Sequence, residues 1–213
     1  MTARSGLQAY RDRVAREKRD AALDAAVDLF LEDGYDRTSL EAVARRAGVS
    51  SATLYKHFPT KAALFGGVMA RLWETDGRSD SDPLAIGDPR RGLGRIGDDY
   101  AELLQRPKTV ALFRLIIAET QRSPELGREL YERGKKPYLD RLRDYLQAEI
   151  AAGTLTIDDV PLATRQFLGM INDIVFWPRL LIVDLEITVE ESRNVVEAAV
   201  ATFLARYQAR ETR

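Results

Sequence analysis

Apolar residues recur along this chain at helical spacing, and no stretch of useful length alternates with period two. Leu23, Ala26, Val27 and Phe30 follow i, i+3, i+4 and i+7, the mark of one buried helical face, and Gly34 supplies a stop. That period confines the chain to an all-α fold. It predicts about nine helices, the first over Val14–Asp33. Thr38 and Glu41 read as a T-x-x-E capping box that opens a short second helix, with Leu40, Val43 and Ala44 inward. Arg45 and Arg46 lie in its last turn and Gly48 ends it. Ser50 caps a third helix reaching His57, and Pro59 forbids its continuation. Thr60 caps a fourth that carries Leu64, Phe65, Val68, Met69, Leu72 and Trp73. Gly66 and Gly67 interrupt it, each at a cost of about 1 kcal/mol relative to Ala.

Residues 76–92 are crowded with Gly, Pro, Asp and Ser and read as a loop and domain boundary. Beyond them Leu93, Ile96, Tyr100, Leu103 and Leu104 mark a fifth helix, ended by Pro107. Val110, Phe113, Ile116 and Ile117 mark a sixth. Ser123 and Pro124 open a seventh, broken or kinked at Pro137 and carried on to Gly153. A short extended linker, Thr154–Ile157, leads to an eighth helix over Pro161–Trp177, kinked or stopped by Pro178. Thr188 and Glu191 form a capping box for a ninth. The expected division is a three-helix domain over 1–66, with an N-terminal arm at 1–13, and a helical domain over 67–213.

Composition excludes several chemistries. The chain has no cysteine and one histidine, so a disulfide framework, a thiol nucleophile and a Cys-based or multi-His zinc site are out of reach. A Ser-His-Asp triad would have to use His57. Glu119 and Asp173 make no persuasive acid/base pair, and no Gly-rich phosphate loop or metal-ligand cluster is present. The expectation is a non-enzyme without cofactor or metal. Met1–Lys18 is polar and lacks the apolar core of a signal peptide. The greasiest stretch, Ile171–Ile187, contains Asn172, Asp173, Pro178, Arg179 and Asp184, too polar for a membrane span. A cytoplasmic protein with no membrane partner is expected.

Residues 38–58 place two short capped helices around a turn containing Gly48, the helix-turn-helix layout. Ala44 and Ala47 are small enough for close approach, and Val49 and Leu54 fill the angle. Ser50 exposes N-terminal amides that favour a phosphate. The outward face offers Ser51, Ala52, Thr53 and Lys56, flanked by Tyr55 and His57, with Lys61 opening the next helix. Such groups suit phosphate anchoring with some base reading. On spacing alone, a plain three-helix core explains the same residues equally well.

The run Gly34-Tyr35, Thr38-Ser39, Val43-Ala44, Ala47-Gly48-Val49-Ser50, Thr53-Leu54-Tyr55-Lys56-His57-Phe58, Lys61 and Leu64-Phe65 closely resembles the N-terminal signature of the TetR family of bacterial transcriptional regulators. The resemblance covers about residues 14–70, and many positions agree in order and spacing at once. It implies a homodimer that binds a near-palindromic double-stranded DNA operator and is released by a small-molecule effector, apolar or amphipathic. It also implies DNA contacts at Thr38, Ser50, Ser51, Ala52, Thr53, Tyr55, Lys56, His57 and Lys61. Ser51-Ala52 departs from the basic or polar residue followed by glycine that members often carry. Base choice would then rest on Thr53, Ser51 and Arg45, with Ala52 offering only a methyl contact. Leu112–Glu119, Pro124-Glu125-Leu126, Tyr131–Gly134 and Gln166–Gly169 are similar to the AefR-like C-terminal subgroup.

Between Val160 and Val183 only Arg165, Asp173 and Arg179 are charged, so this helix needs cover on more than one side. Leu168, Ile174, Val175, Val196, Ala199, Val200 and Phe203 are candidates for a four-helix dimer interface, the alternative being monomer core. Phe113, Ile117, Tyr138, Leu142, Phe167, Met170, Ile171, Phe176 and Trp177 are candidate pocket walls, with Glu119, Gln166, Asn172 and Asp173 as polar groups. Two other readings stay open: a helical small-molecule-binding protein or enzyme with a relic helix-turn-helix, and an effector-independent DNA-binding or architectural protein. Net charge does not decide between them. It is −1 overall, and residues 1–20 hold six basic against three acidic side chains.

Overall fold

The computed structural model describes residues 3–73, 84 and 86–209, which form helices and their connecting turns with no strand among them. The helices are α1 (Ala3–Asp33), α2 (Leu40–Arg46), α3 (Ser51–His57), α4 (Lys61–Trp73), α5 (Pro89–Gln105) and α6 (Pro107–Glu119). They continue as α7 (Pro124–Glu129), α8 (Lys136–Ala151), α9 (Val160–Val175), α10 (Trp177–Leu181) and α11 (Val189–Tyr207). A π-helical turn, Leu130–Lys135, joins α7 to α8 without a break. Pro137 sits in the first turn of α8, where its missing N–H and fixed φ are tolerated. Pro178 likewise opens α10.

Three boundaries differ from the periodicity. Helix α1 starts at Ala3, before its apolar stripe begins, and Gly6 through Arg13 lack buried side chains among those described. The cap of α2 is Ser39, whose hydroxyl accepts from Ala42 N–H at 3.1 Å, so the Thr38/Glu41 box does not form. Helix α5 starts at Pro89, because the Asp88 carboxylate caps it at Arg91 N–H. Of the expected 76–92 loop, residues 76–83 and 85 lie outside the described residues. The Thr188/Glu191 capping box does form.

The chain packs as two compact units, one of residues 1–71 with 114–134, the other of 72–113 with 135–213. The first unit therefore includes a segment far beyond residue 66. Its centre is a trio of rings, Phe30, Tyr35 and Phe65, with centroids 5.5, 5.7 and 5.7 Å apart. Thr38, 3 % exposed, donates its hydroxyl to the carbonyls of Leu29 and Gly34 at 3.2 and 2.8 Å. Gly67 permits the next layer: a Cβ there would stand 2.6 Å from Phe58 Cε1 and 3.1 Å from Leu23 Cδ2. A Cβ on Gly66 would collide with the Glu129 carboxylate. Close packing is thus why α4 tolerates two helix-weakening residues.

In the second unit, α5, α9 and α11 enclose Phe167, Ile171, Val196 and Phe203. The residues proposed from sequence as a dimer seam mostly lie here. Leu168, Val175, Val196, Ala199, Val200 and Phe203 are buried within the single chain, and only Ile174 stays exposed, at 52 %. The side of α11 that carries Val196, Val200 and Phe203 packs on α5 and α9 of its own chain. Trp73, Tyr100 and Tyr138 form a second ring cluster, with centroids 5.3 to 6.3 Å apart. Fully buried Glu149 accepts from the Tyr145 hydroxyl at 2.7 Å, from the Thr154 hydroxyl and from Gly87 N–H.

Two substitutions separate glycines that packing requires from one it does not. Gly67→Ala should destabilise by about 1–3 kcal/mol, because Phe58 must move. Gly94→Ala, in α5 with nothing within 4 Å of its Cβ, should stabilise by about 0.5–1 kcal/mol. Urea titrations of the full chain would measure both. Thr38→Val should cost about 1–2 kcal/mol in the same titration, because the Leu29 and Gly34 carbonyls lose their donor.

Candidate nucleic-acid interface

The turn between α2 and α3 is set by Gly48. Its φ of +66° is a conformation that a side chain would strain. Gly48 N–H bonds Arg45 O at 3.2 Å and Val49 N–H bonds Ala44 O at 3.0 Å, a Schellman closure of α2. Leu54, 1 % exposed, then anchors α3 against the core. Ser50 caps α3 by accepting from Thr53 N–H at 3.2 Å, and the two hydroxyls are 2.8 Å apart. With Leu54 inward, Ser51, Ala52, Tyr55 and Lys56 face solvent, Thr53 and His57 are half-buried, and His57 leans on Phe58 with ring centroids 6.3 Å apart.

The two arginines ending α2 have different fates. Arg46 grips Glu32 of α1 through both guanidinium nitrogens, at 3.2 and 2.8 Å. Arg45 is exposed, and its charge is one of those that hold the Glu41 carboxyl down. Lys61 donates to the carbonyls of Tyr35 and Asp36 at 2.8 and 3.1 Å, and its ammonium lies 4.4 Å from the Tyr35 ring centre. Burial first, then Glu125, pushes the Tyr35 phenol up to about 12. The Tyr55 hydroxyl donates to Glu41 Oε1 at 2.7 Å. That bond is the main reason the Glu41 carboxyl lies below its ordinary value, and it raises the Tyr55 phenol in turn.

Arg45, Ser50, Ser51, Ala52, Thr53, Tyr55, Lys56, His57 and Lys61 are thus brought together by α2, α3 and the start of α4. Thr38 is the exception. It is buried with its hydroxyl committed inward, so it positions the turn and offers no side-chain contact to a partner. Glu41 was missed. Its local sequence suggests a cap, whereas its partner lies 14 residues away.

The candidate pocket residues scatter. Tyr138, Leu142, Phe167, Ile171 and Phe176 are buried in the second unit, and Phe113 meets Phe176 edge-on at 4.8 Å. Gln166 is exposed and accepts from the Tyr207 hydroxyl at 2.8 Å. Asn172 is half-buried, and Trp177 is 50 % exposed. Ile117 and Glu119 belong to the other unit, with Ile117 58 % exposed. Met170 and Asp173 line a surface groove of about 520 Å³ between α9 and α11 with Ile174, Asn194, Val195, Ala198, Ala199 and Thr202. Trp73 and Tyr100, absent from the expected walls, join Tyr138 in the ring cluster. Among the described residues no helix is long and apolar enough to cross a membrane.

Comparison with known proteins agrees with this geometry. Residues 22–68 match the family model described as bacterial regulatory proteins, tetR family, and residues 91–209 match the AefR-like transcriptional repressor C-terminal domain. The chain is 35 % identical over 92 residues to the HTH-type transcriptional repressor KstR of Mycolicibacterium smegmatis. That match covers 43 % of this chain and 45 % of the repressor, so the chain spans about half the length of such curated relatives. Among solved structures, it is similar to the Flavonoid-responsive Regulator FrrA, with 33 % identity and TM-score 0.72, covering 91 % of this chain and 98 % of that one. It is also similar to a TetR transcriptional regulator from Agrobacterium tumefaciens, with 26 % identity and TM-score 0.76, covering 91 % and 96 %. These matches are to transcriptional regulators, which are not enzymes. The all-helical chain, with its helix-turn-helix and AefR-like C-terminal domain, belongs to the TetR family of bacterial transcriptional regulators.

Proposed function

We propose that the chain acts in the cytoplasm as a homodimeric repressor that leaves a near-palindromic operator when a small apolar or amphipathic effector binds. The observation that carries this assignment is the exposed face of α2 and α3. There Arg45, Ser51, Ala52, Tyr55 and Lys56 face solvent beside a capped helix N-terminus. Ser50, Thr53, Tyr55, Lys56, His57 and Lys61 would anchor phosphates, and Arg45, Ser51, Ala52 and Thr53 would meet base edges. The functional division is a DNA-binding head over 1–66 and an effector and dimerisation domain over 67–213.

A second copy would sit on the outer side of α9 and α11. In support, that side carries the apolar groove at Ile174, Val195 and Ala198, and nearby Leu181, Val183 and Val189 are 80, 82 and 75 % exposed. Exposed apolar area of this extent favours a self-complementary two-fold contact. For the effector, support comes from the cluster of Trp73, Tyr100 and Tyr138, where Trp73 Nε1 is buried with no hydrogen-bond partner among the described residues. An aromatic molecule bearing an acceptor would satisfy it. FrrA, named for its response to flavonoids, makes a ligand of that kind reasonable here. Trp73 ends α4, whose Phe65 belongs to the head's ring trio, so a ligand that moved Trp73 would act on the helix carrying the head. Release then requires only that the effector bind the DNA-incompetent state more tightly.

Fluorescence anisotropy with duplex from upstream of the chain's own gene should give salt-sensitive, sequence-selective binding, and its absence would sink the assignment. Lys61→Ala should weaken operator and unrelated duplex by the same factor and lower the salt slope by about one, as loss of a phosphate contact does. Tyr55→Phe should also weaken both alike, with the slope unchanged. Ala198→Glu, which puts a charge in the groove, should halve the molar mass measured by light scattering. A mass unchanged from the parent would place the dimer contact elsewhere.

A further inference from the structure

We propose that Glu41 sets the strength of DNA binding by competing with a phosphate for the one proton on the Tyr55 hydroxyl. This deepens the assignment of α2 and α3 as the DNA surface and rests on it.

Glu41 is the only acidic residue between Arg37 and Trp73, a stretch holding Arg37, Arg45, Arg46, Lys56, Lys61 and Arg71. Its carboxylate is directed at the exposed tyrosine of α3, 2.7 Å from the hydroxyl. A phenol has a single proton to donate, and carboxylate and phosphate oxygens are both acceptors only. While Tyr55 donates to Glu41 it presents only lone pairs outward, which an anionic phosphate cannot use. A phosphate bond from Tyr55 therefore requires the Glu41 bond to break.

The neighbouring donors escape this conflict. Lys61 carries three protons and gives two to the carbonyls of Tyr35 and Asp36, leaving one for a phosphate. Ser50 and Thr53 share one hydrogen bond between two hydroxyls, so one proton stays free. Glu41 is held as a competitor by its own backbone N–H, by Ser39 and by the Arg45 charge, all of which favour its ionised form. An acid in the first turn of a helix also has an ordinary helix-stabilising use, so the test must separate that role from competition.

The test is a double-mutant cycle on the full chain, read by anisotropy with a short mixed-sequence duplex at low salt. Phosphate contacts are read there without knowledge of the operator. Glu41→Met keeps the reach of the side chain and removes its charge and acceptor. It should tighten binding about five-fold, a coupling typical of touching residues, and do so by no more than about two-fold in a Tyr55→Phe background. Glu41→Gln, which keeps an acceptor without charge, should fall between the parent and Glu41→Met, and it serves if the methionine variant folds poorly by thermal melt. Equal tightening with and without the hydroxyl would mean plain charge repulsion and overturn the proposal. Weaker binding by Glu41→Met would overturn it too, since Glu41 would then be holding Tyr55 in place for DNA. If the parent binds no duplex in a salt-dependent way, the DNA-binding assignment itself falls. If the parent binds and the cycle shows no coupling, only the role of Glu41 falls.

Discussion

Lys61 and the ring of Tyr35 hold together the part of the chain on which the recognition surface stands. The ammonium closes on two carbonyls of the turn after α1 and on the face of the same tyrosine, while that ring packs on Phe30 and Phe65. Thr38 fastens the turn from below through Leu29 and Gly34. Helix α2 starts immediately after this knot, and Gly48 and Leu54 pass its orientation on to α3. A seven-residue helix has little intrinsic stability. The aim of α3 is therefore a property of the tertiary contacts beneath it.

Local rules were legible where the partners are neighbours in the chain. The Ser50 and Thr60 caps, the Gly48 turn and the Thr188/Glu191 box all follow from residues within a few positions of one another. Periodicity failed where it had nothing to register. The first turns of α1 bury none of their described side chains, so no stripe marks them. Adjacent hydroxyls defeated the cap at α2, because burial of Thr38, invisible in sequence, leaves that task to Ser39. Glu41 was misread for a related reason, since the tyrosine that takes its carboxylate is distant in sequence.

The helical period could not say which copy of the chain covers an apolar face. Val196, Ala199, Val200 and Phe203 have the pattern of a seam, and in the fold they are a seam with α5 and α9 of the same chain. The glycines made that possible. A Cβ on Gly97 would stand 2.6 Å from Val196 Cγ1, so α5 approaches α11 only because one position on it is bare. Buried Glu149 shows the same limit in polar form: its donors at Tyr145, Thr154 and Gly87 converge from three parts of the second unit.

The exposed stretch of α1 from Gly6 to Arg13 has a consequence for how the molecule responds to heat. From Gly6 to Arg13 no described side chain is buried, and the side-chain contacts among the described residues include the Gln8–Asp12 hydrogen bond, the Arg13–Glu17 ion pair and Arg13 over the Tyr10 ring. Such pairs contribute only about 0.2–0.5 kcal/mol each. With burial beginning near Ala22, that stretch would exchange between helix and coil independently of the cooperative unit. Warming would unwind it gradually, and the far-ultraviolet ellipticity would drift well before the packed units melt. The sloping baseline would be structural in origin, and a two-state fit that treated it as solvent drift would underestimate the helix lost.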